Sequence, residues 1–293
     1  MPVCLTILGS GSAGNCVYLE TDQARVLIDA GFSSRQIRKR LASIGRTPEN
    51  LTAILVTHEH SDHVQGLAPL AEKLRIPVYG NRATLEAIQY QQRATLDCRV
   101  FPTGGTFEIE DLVVEAFSVP HDAQDPVGFL LKTVQGNIGI LTDLGHATKL
   151  ALERVRKANV LILESNHDIK MLQDCPHRPW SLKQRILSRH GHLSNEAAAE
   201  AAVQIISAEL SHLYLGHLSR ECNKPQLAHD VMHKRLEKIG AGHVRLELAS
   251  QSLPSQTLVL QRSSTEPQAP VMDPAALREV FTATYSGLQL PLC

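Results

Sequence analysis

Short apolar runs separated by turn residues dominate the first half of the chain. Val3–Leu8, Val17–Glu20 and Val26–Asp29 read as strands. Ser34 opens a helix with Ile37, Leu41 and Ile44 on one face and Gly45 past its end. Ala53–Thr57 reads as a short, fully buried strand. A helix carrying Val64, Leu67, Leu70 and Leu74 follows, then a strand at Val78–Tyr79 and a helix over Thr84–Gln91. From Arg99 to Thr142 the chain is strand-rich, with a hairpin turn at Glu108–Asp111.

The second half alternates strands with helices. Val160–Glu164 and Leu213–Gly216 are buried strands, and Val244–Leu248 and Thr257–Leu260 close the pattern. Helices are predicted over Ser181–Arg189, the Ala-rich Asn195–Ser207 and the amphipathic Lys224–Ile239. Two strand-rich halves, each with its own helices, predict an α/β fold of two packed sheets with helices outside. The polar, Pro-containing run Ser263–Pro270 divides a domain of residues 1–262 from a tail, 263–293. One short helix, Pro274–Phe281, is expected in that tail.

Composition mostly excludes. A formal net charge of −1 over 293 residues gives no sign of a general nucleic-acid binder, although a local basic groove remains compatible with it. The six cysteines form no Cys-x-x-Cys pair, the N-terminal apolar run is too short for a signal peptide, and no run reaches membrane-span length. A soluble, cytoplasmic chain with reduced thiols is expected.

Gly9-Ser-Gly11-Ser-Ala-Gly14 follows a strand as a dinucleotide fingerprint would, but Asn15–Glu20 alternates like another strand where that fingerprint needs a helix. A tight loop with amides free to meet an anion is the better expectation. His58-Glu-His60-Ser-Asp62-His63 is the more telling motif. In an extended segment His58 and His60 point to one side, while Asp62 and His63 lie where the chain turns into a helix. Imidazoles and a carboxylate at this spacing suit two divalent ions. His121, Asp143 and His217 stand at later strand ends, where ligands gathered at one rim of a sheet would be.

In this order, His58-x-His60-x-Asp62-His63, His121, Asp143 and His217 resemble the metallo-β-lactamase superfamily. The resemblance covers roughly residues 1–262 and implies an αββα sandwich of two mixed sheets with a two-metal site at one edge. It implies that His58, His60 and His121 hold one metal, that Asp62, His63 and His217 hold the other, and that Asp143 bridges them. The ions would be zinc or manganese, with iron also compatible. Asp143 stands where true β-lactamases usually carry Cys, and His60 where diiron flavoproteins of this fold carry Glu. The short interval from Asp143 to His217 has no room for the domain inserted in ribonuclease J-like enzymes, nor that from His121 to Asp143 for the arm of many tRNase Z enzymes.

Gly9–Asn15, Leu163–Asp168, Gly191–Asn195 and Gly216–Asn223 further resemble the WalJ/YycJ family of 5′→3′ exonucleases on double-stranded DNA. That resemblance implies a phosphodiesterase in which a hydroxide shared by the metals attacks phosphorus in line. Asp62 would orient the hydroxide. His192, before a helix whose amides favour phosphate, would stabilise the transition state or protonate the leaving oxygen. Ser12, Asn15, Asn166, His167, Ser219 and Arg220 would meet substrate, Glu164 would buttress a ligand histidine, and Arg178, Lys183, Arg185, Arg189, Arg220 and Lys224 would track a nucleic-acid backbone. The alternatives are a small-molecule hydrolase of the same fold (cyclic phosphate phosphodiesterase, lactonase or thioesterase) and a non-catalytic regulatory protein.

Overall fold

The computed structural model describes residues 2–260. The linker and tail helix expected from residue 263 onward lie outside the described residues. Strands and helices occur in the order β1 (Val3–Gly9), β2 (Cys16–Glu20), β3 (Arg25–Ile28), α1 (Ser34–Ser43), β4 (Ala53–Leu55), α2 (Ser61–Val64), α3 (Leu67–Leu74), β5 (Val78–Gly80), α4 (Arg82–Gln92) and β6 (Cys98–Val100). They continue with β7 (Thr106–Ile109), β8 (Leu112–Ser118), β9 (Val127–Thr133), β10 (Gly136–Leu141), α5 (Lys149–Val155), β11 (Val160–Glu164), α6 (Ile169–Asp174) and α7 (Trp180–Ile186). Then come α8 (Asn195–Ile205), β12 (His212–Gly216), α9 (Pro225–Lys238), β13 (Arg245–Leu248) and β14 (Leu258–Leu260).

Two seven-stranded mixed sheets result, ordered β14-β1-β2-β3-β4-β5-β6 and β13-β12-β11-β10-β9-β8-β7. Successive strand residues point to opposite faces, and here both faces are buried. Leu5, Ile7, Val26 and Ile28 of the first sheet meet Phe129, Ile140 and Ile162 of the second between the layers. Their neighbours Leu8, Leu27 and Ile54 face outward onto Ile37, Leu41, Leu70 and Ile88 of α1, α3 and α4. Leu161, Leu163, Leu213 and Leu215 likewise face α5, α8 and α9. The layers are therefore helix, sheet, sheet, helix, as expected.

The division between sheets does not fall at the middle of the chain. It lies between β6 and β7, so most of the strand-rich stretch from Arg99 to Thr142 belongs to the second sheet, and β14 returns to pair with β1 of the first. Local corrections have simple causes. Ser33, not Ser34, caps α1, because its side chain and that of Gln36 form a reciprocal capping box. The single helix expected through Val64 and Leu74 breaks at Gly66, where a Cβ would stand 2.1 Å from the Phe32 carbonyl oxygen. Among the described residues no helix is long and apolar enough to cross a membrane.

Topology sets the site. The strands β3 to β6 are parallel to one another, as are β10 to β13. Two antiparallel steps, β1 to β2 to β3 and β8 to β9 to β10, bring β1 and β8 back into line with those sets. Their carboxyl ends give rise to Ser10–Asn15, Asp29, His58–His63, His121, Asp143, Asn166 and His217, which collect at one rim, the place where open α/β sheets present functional groups.

Candidate metal centre and active site

Three of the rim residues, Asp29, Asp143 and His217, have φ of 61°, 57° and 54°. Non-glycine residues in the left-handed region are strained, and such strain collects at functional sites. Here it turns each side chain back from its strand end into the rim. Gly31 serves the same packing: a Cβ there would lie 1.7 Å from the Asp62 carbonyl oxygen, so only glycine lets the two loops touch.

Four of the histidines share one orientation, and His60, whose Nδ1 faces His121, departs from it. His63 Nδ1 is 2.7 Å from Asp29 Oδ2, His121 Nδ1 is 3.0 Å from the Gly191 carbonyl, His217 Nδ1 is 2.9 Å from Glu164 Oε1, and His58 Nδ1 is 3.0 Å from Thr57 Oγ1. Each Nδ1 is thereby fixed from outside and each Nε2 is left to the centre, the arrangement in which a histidine is held ready for a metal. His217 Nε2 lies 3.3 Å from Asp62 Oδ2, and His63 Nε2 lies 3.2 Å from Asp143 Oδ2. His121 Nε2 is 3.3 Å from His60 Nδ1.

Donor atoms of His58, His60 and His121 converge within 4.8 Å of one another, as do those of Asp62, His63 and His217, and of His58, His63 and Asp143. His58 Nε2 is buried without any hydrogen-bond partner, and Asp143 Oδ2 has none beyond its 3.2 Å approach to His63 Nε2. Leaving such groups bare is costly, and a cation between them removes the cost. The donor set of neutral nitrogens and carboxylate oxygens fits a divalent metal.

Electrostatics agree with that reading. Burial pushes the Asp143 carboxyl upward, but His217 and His63 outweigh it and hold it well below the usual carboxylate range. Burial drives His58 well below the usual imidazole range, reinforced by His63. Glu164 is fully buried; burial raises it, yet His192 above all draws its carboxyl down to about 2. Its Oε1 takes His192 Nδ1 at 2.7 Å and His217 Nδ1 at 2.9 Å, while Oε2 accepts the amides of Leu144 and Leu193, each at 3.1 Å. His192 is lowered by burial and raised more strongly by Glu164, so its net shift is upward.

Over the cluster lies a cavity of about 210 Å³ lined by His60, Asp62, His121, Asp143, His192 and His217, with Ser12, Asn166 and Ser219 at its edge. Three other expected substrate contacts fall elsewhere. Asn15 is buried and binds Gly11, Asp62 and His63, so it braces the cluster. His167 is 1% exposed and outside the lining, because its bridge to Ser194 draws it under the rim. Arg220 is exposed and outside the lining. The amides of Ser10, Gly11, Ala13 and Gly14 are all engaged within the protein, so the glycine loop is not the open anion nest expected. The Leu193 amide goes to Glu164 and the Ala197 amide to Ser194, which leaves the start of α8 turned inward as well. Lys183 is buried, donating from Nζ to the Gln173 carbonyl at 2.6 Å, and cannot track a backbone.

Sequence reasoning did not single out Asp29, which also accepts Thr57 N at 2.8 Å and Thr57 Oγ1 at 2.9 Å. An apolar run closed by an acid, as at Asp143, was the available signal. It also missed the reciprocal amide pair of Asn195 and Asn223, at 2.9 Å each way, which ties the loop after β12 to the start of α8.

The profile of the Beta-lactamase superfamily domain matches residues 24–217. Exodeoxyribonuclease WalJ of Streptococcus pneumoniae is 39% identical over 81% of this chain and 89% of its own length. Exodeoxyribonuclease YycJ of Bacillus anthracis is 37% identical over 83% of this chain and 92% of its own. Among solved structures, the metallo-β-lactamase fold protein YhfI from Bacillus subtilis superposes with a TM-score of 0.65 at 17% identity, covering 87% of this chain and 100% of that one; the likeness is one of fold.

Proposed function

Because this chain belongs to the β-lactamase superfamily, within its WalJ/YycJ branch, we propose that it is a metal-dependent exodeoxyribonuclease. The finer reading is 5′→3′ hydrolysis of double-stranded DNA with two divalent ions, zinc or manganese. His58, His60 and His121 would hold one ion, Asp62, His63 and His217 the other, and Asp143 both. The single observation that carries this is the pair of converging donor groups, with Asp143 3.2 Å from His63 Nε2 of one and 3.8 Å from His121 Nε2 of the other, in a chain 39% identical to an exodeoxyribonuclease. Ions bound there activate water near neutral pH and neutralise charge on phosphoryl oxygens.

The protein's own residues supply the rest. Asp62, with its side chain 22% exposed and in the cavity lining, would orient the attacking water. His192 is held through Nδ1 by Glu164, so Nε2 is the nitrogen the cavity can reach. Glu164 favours its protonated form, which suits it to give a proton to the leaving oxygen. We place the protein in the cytoplasm: the buried Cys16, Cys175 and Cys222 are free thiols, which fits a reducing compartment.

Metal analysis coupled to digestion of end-labelled duplex DNA, one 5′ end blocked, tests the proposal. Digestion from the open 5′ end by metal-loaded protein is expected. Intact DNA and RNA beside turnover of bis-p-nitrophenyl phosphate, a lactone or a thioester would select the second reading, a small-molecule hydrolase, which the net charge of −1 favours.

A further inference from the structure

The cavity has two unlike walls. One is the ligand cluster, polar throughout. The other is α7 with the turn before it, which contributes Leu182 and Ile186, the apolar side chains of the lining, together with Arg178 and Arg185. Leu182, Arg185 and Ile186 stand three and four positions apart and so share one face of the helix. Both arginines are tied down by carboxylates from loops of the rim: Arg178 Nε is 3.0 Å from Glu221 Oε2, and Arg185 Nε bonds Asp122 Oδ2. Among the described residues neither guanidinium makes a further hydrogen bond, so the other donors of each fork are uncommitted. Glu221 and the Arg185 side chain are more than half exposed, and pairs of this kind hold weakly.

Resting on the nuclease reading, we propose that this wall is a terminal-nucleotide subsite. The base of the end nucleotide packs on the half-buried Leu182, which the buried Ile186 backs, and its flanking phosphates take Arg178 and Arg185 over from Glu221 and Asp122. A nucleotide unit is the ligand that combines a flat apolar face with an anion on either side. An apolar wall takes the face of any base by burying it from water, without regard to sequence, and guanidinium forks match phosphate oxygens. Glu221 and Asp122 then act as stand-ins for phosphate. They keep the wall near neutral until substrate arrives, consistent with a chain of net charge −1.

The test is the affinity of the metal-loaded enzyme for a duplex with uncleavable phosphorothioate ends, followed by fluorescence anisotropy across a salt series. Arg178→Ala should weaken binding by about tenfold and lower the slope of log affinity against log salt by about 1. Glu221→Gln, which releases Arg178 from its carboxylate, should tighten binding roughly threefold. Leu182→Ser should weaken binding of a natural end but not of an end whose last residue is abasic. A purely structural ion pair makes Arg178→Ala and Glu221→Gln, both shown folded by circular dichroism, shift binding the same way; that result overturns the proposal while wild-type digestion of DNA still stands. A wild-type enzyme that neither binds nor cuts DNA overturns both it and the nuclease reading.

Discussion

Glu164→Gln keeps the shape of the side chain that joins His192 to His217 and removes its charge. Four donors converge on its two oxygens: two imidazole Nδ1 atoms at 2.7 and 2.9 Å and two amides at 3.1 Å. Glutamine brings one oxygen and one donating nitrogen. In either orientation its NH₂ confronts two N–H groups with no water to accept them. Two hydrogen bonds to a charged acceptor are lost, at about 1.5–3 kcal/mol each, or about 4 kcal/mol together. In a domain of this size that lowers the melting temperature by about 10 °C. The histidines could relieve the clash by moving their protons from Nδ1 to Nε2, but Nε2 of His217 is the atom that faces Asp62, and a proton there blocks a metal. Loss of stability and loss of metal are therefore alternatives that trade against each other. Differential scanning calorimetry with elemental analysis on the same sample reads both. A variant that melts within about 2 °C of the parent and retains its full metal content would refute the reasoning.

Three further outcomes are expected. His192→Ala should keep metal and fold but slow DNA turnover by roughly 10²–10⁴-fold, the range for a general acid; near-normal turnover would return His192 to the role of a helix-entry residue. Asp143→Ala removes the carboxylate the proposed ions share, so elemental analysis should show one or both missing, and unchanged content would exclude the bridging role. Gly31→Ala forces a Cβ against the Asp62 carbonyl, so it should destabilise the fold by about 3 kcal/mol or more in a denaturant titration.

Most of the fold was legible because its strands are buried on both faces. Runs such as Val160–Leu163 are apolar throughout, and no helix that short would be. Pairing partners were not legible. β14 joins the first sheet through contacts with β1 that only the folded chain brings together, and no local pattern encodes an edge reached from so far along the sequence. Helix ends failed where tertiary contact overrode propensity. Gly66 reads as a tolerable residue inside an apolar helix until the Phe32 carbonyl is found pressed against it. The missed helices α5 and α6 are short, seven and six residues, below the length at which a period of 3.6 declares itself.

The site was legible to the depth at which residue type and strand end coincide. A histidine or acid set just past a buried apolar run is poorly solvated there unless it binds something, and the rim gathers such residues because parallel strands must end together. What lies one layer behind was harder to see. Asp29 follows an apolar run as Asp143 does, yet Asp143 faces the cluster while Asp29 meets Nδ1 of His63 and the amide and hydroxyl of Thr57 behind it; the difference is a matter of which loop packs above each strand end. Glu164 was the stronger hint, an acid at the close of a buried strand with no water to solvate it. A carboxylate in that position requires donors, and its two imidazoles and two amides fix the orientation of His217 and His192, on separate loops, relative to each other. Metal holding and proton delivery would then not be independent inventions of two motifs. They would be coupled through a single oxygen, Glu164 Oε1, so a substitution at either histidine should alter the tautomer of the other.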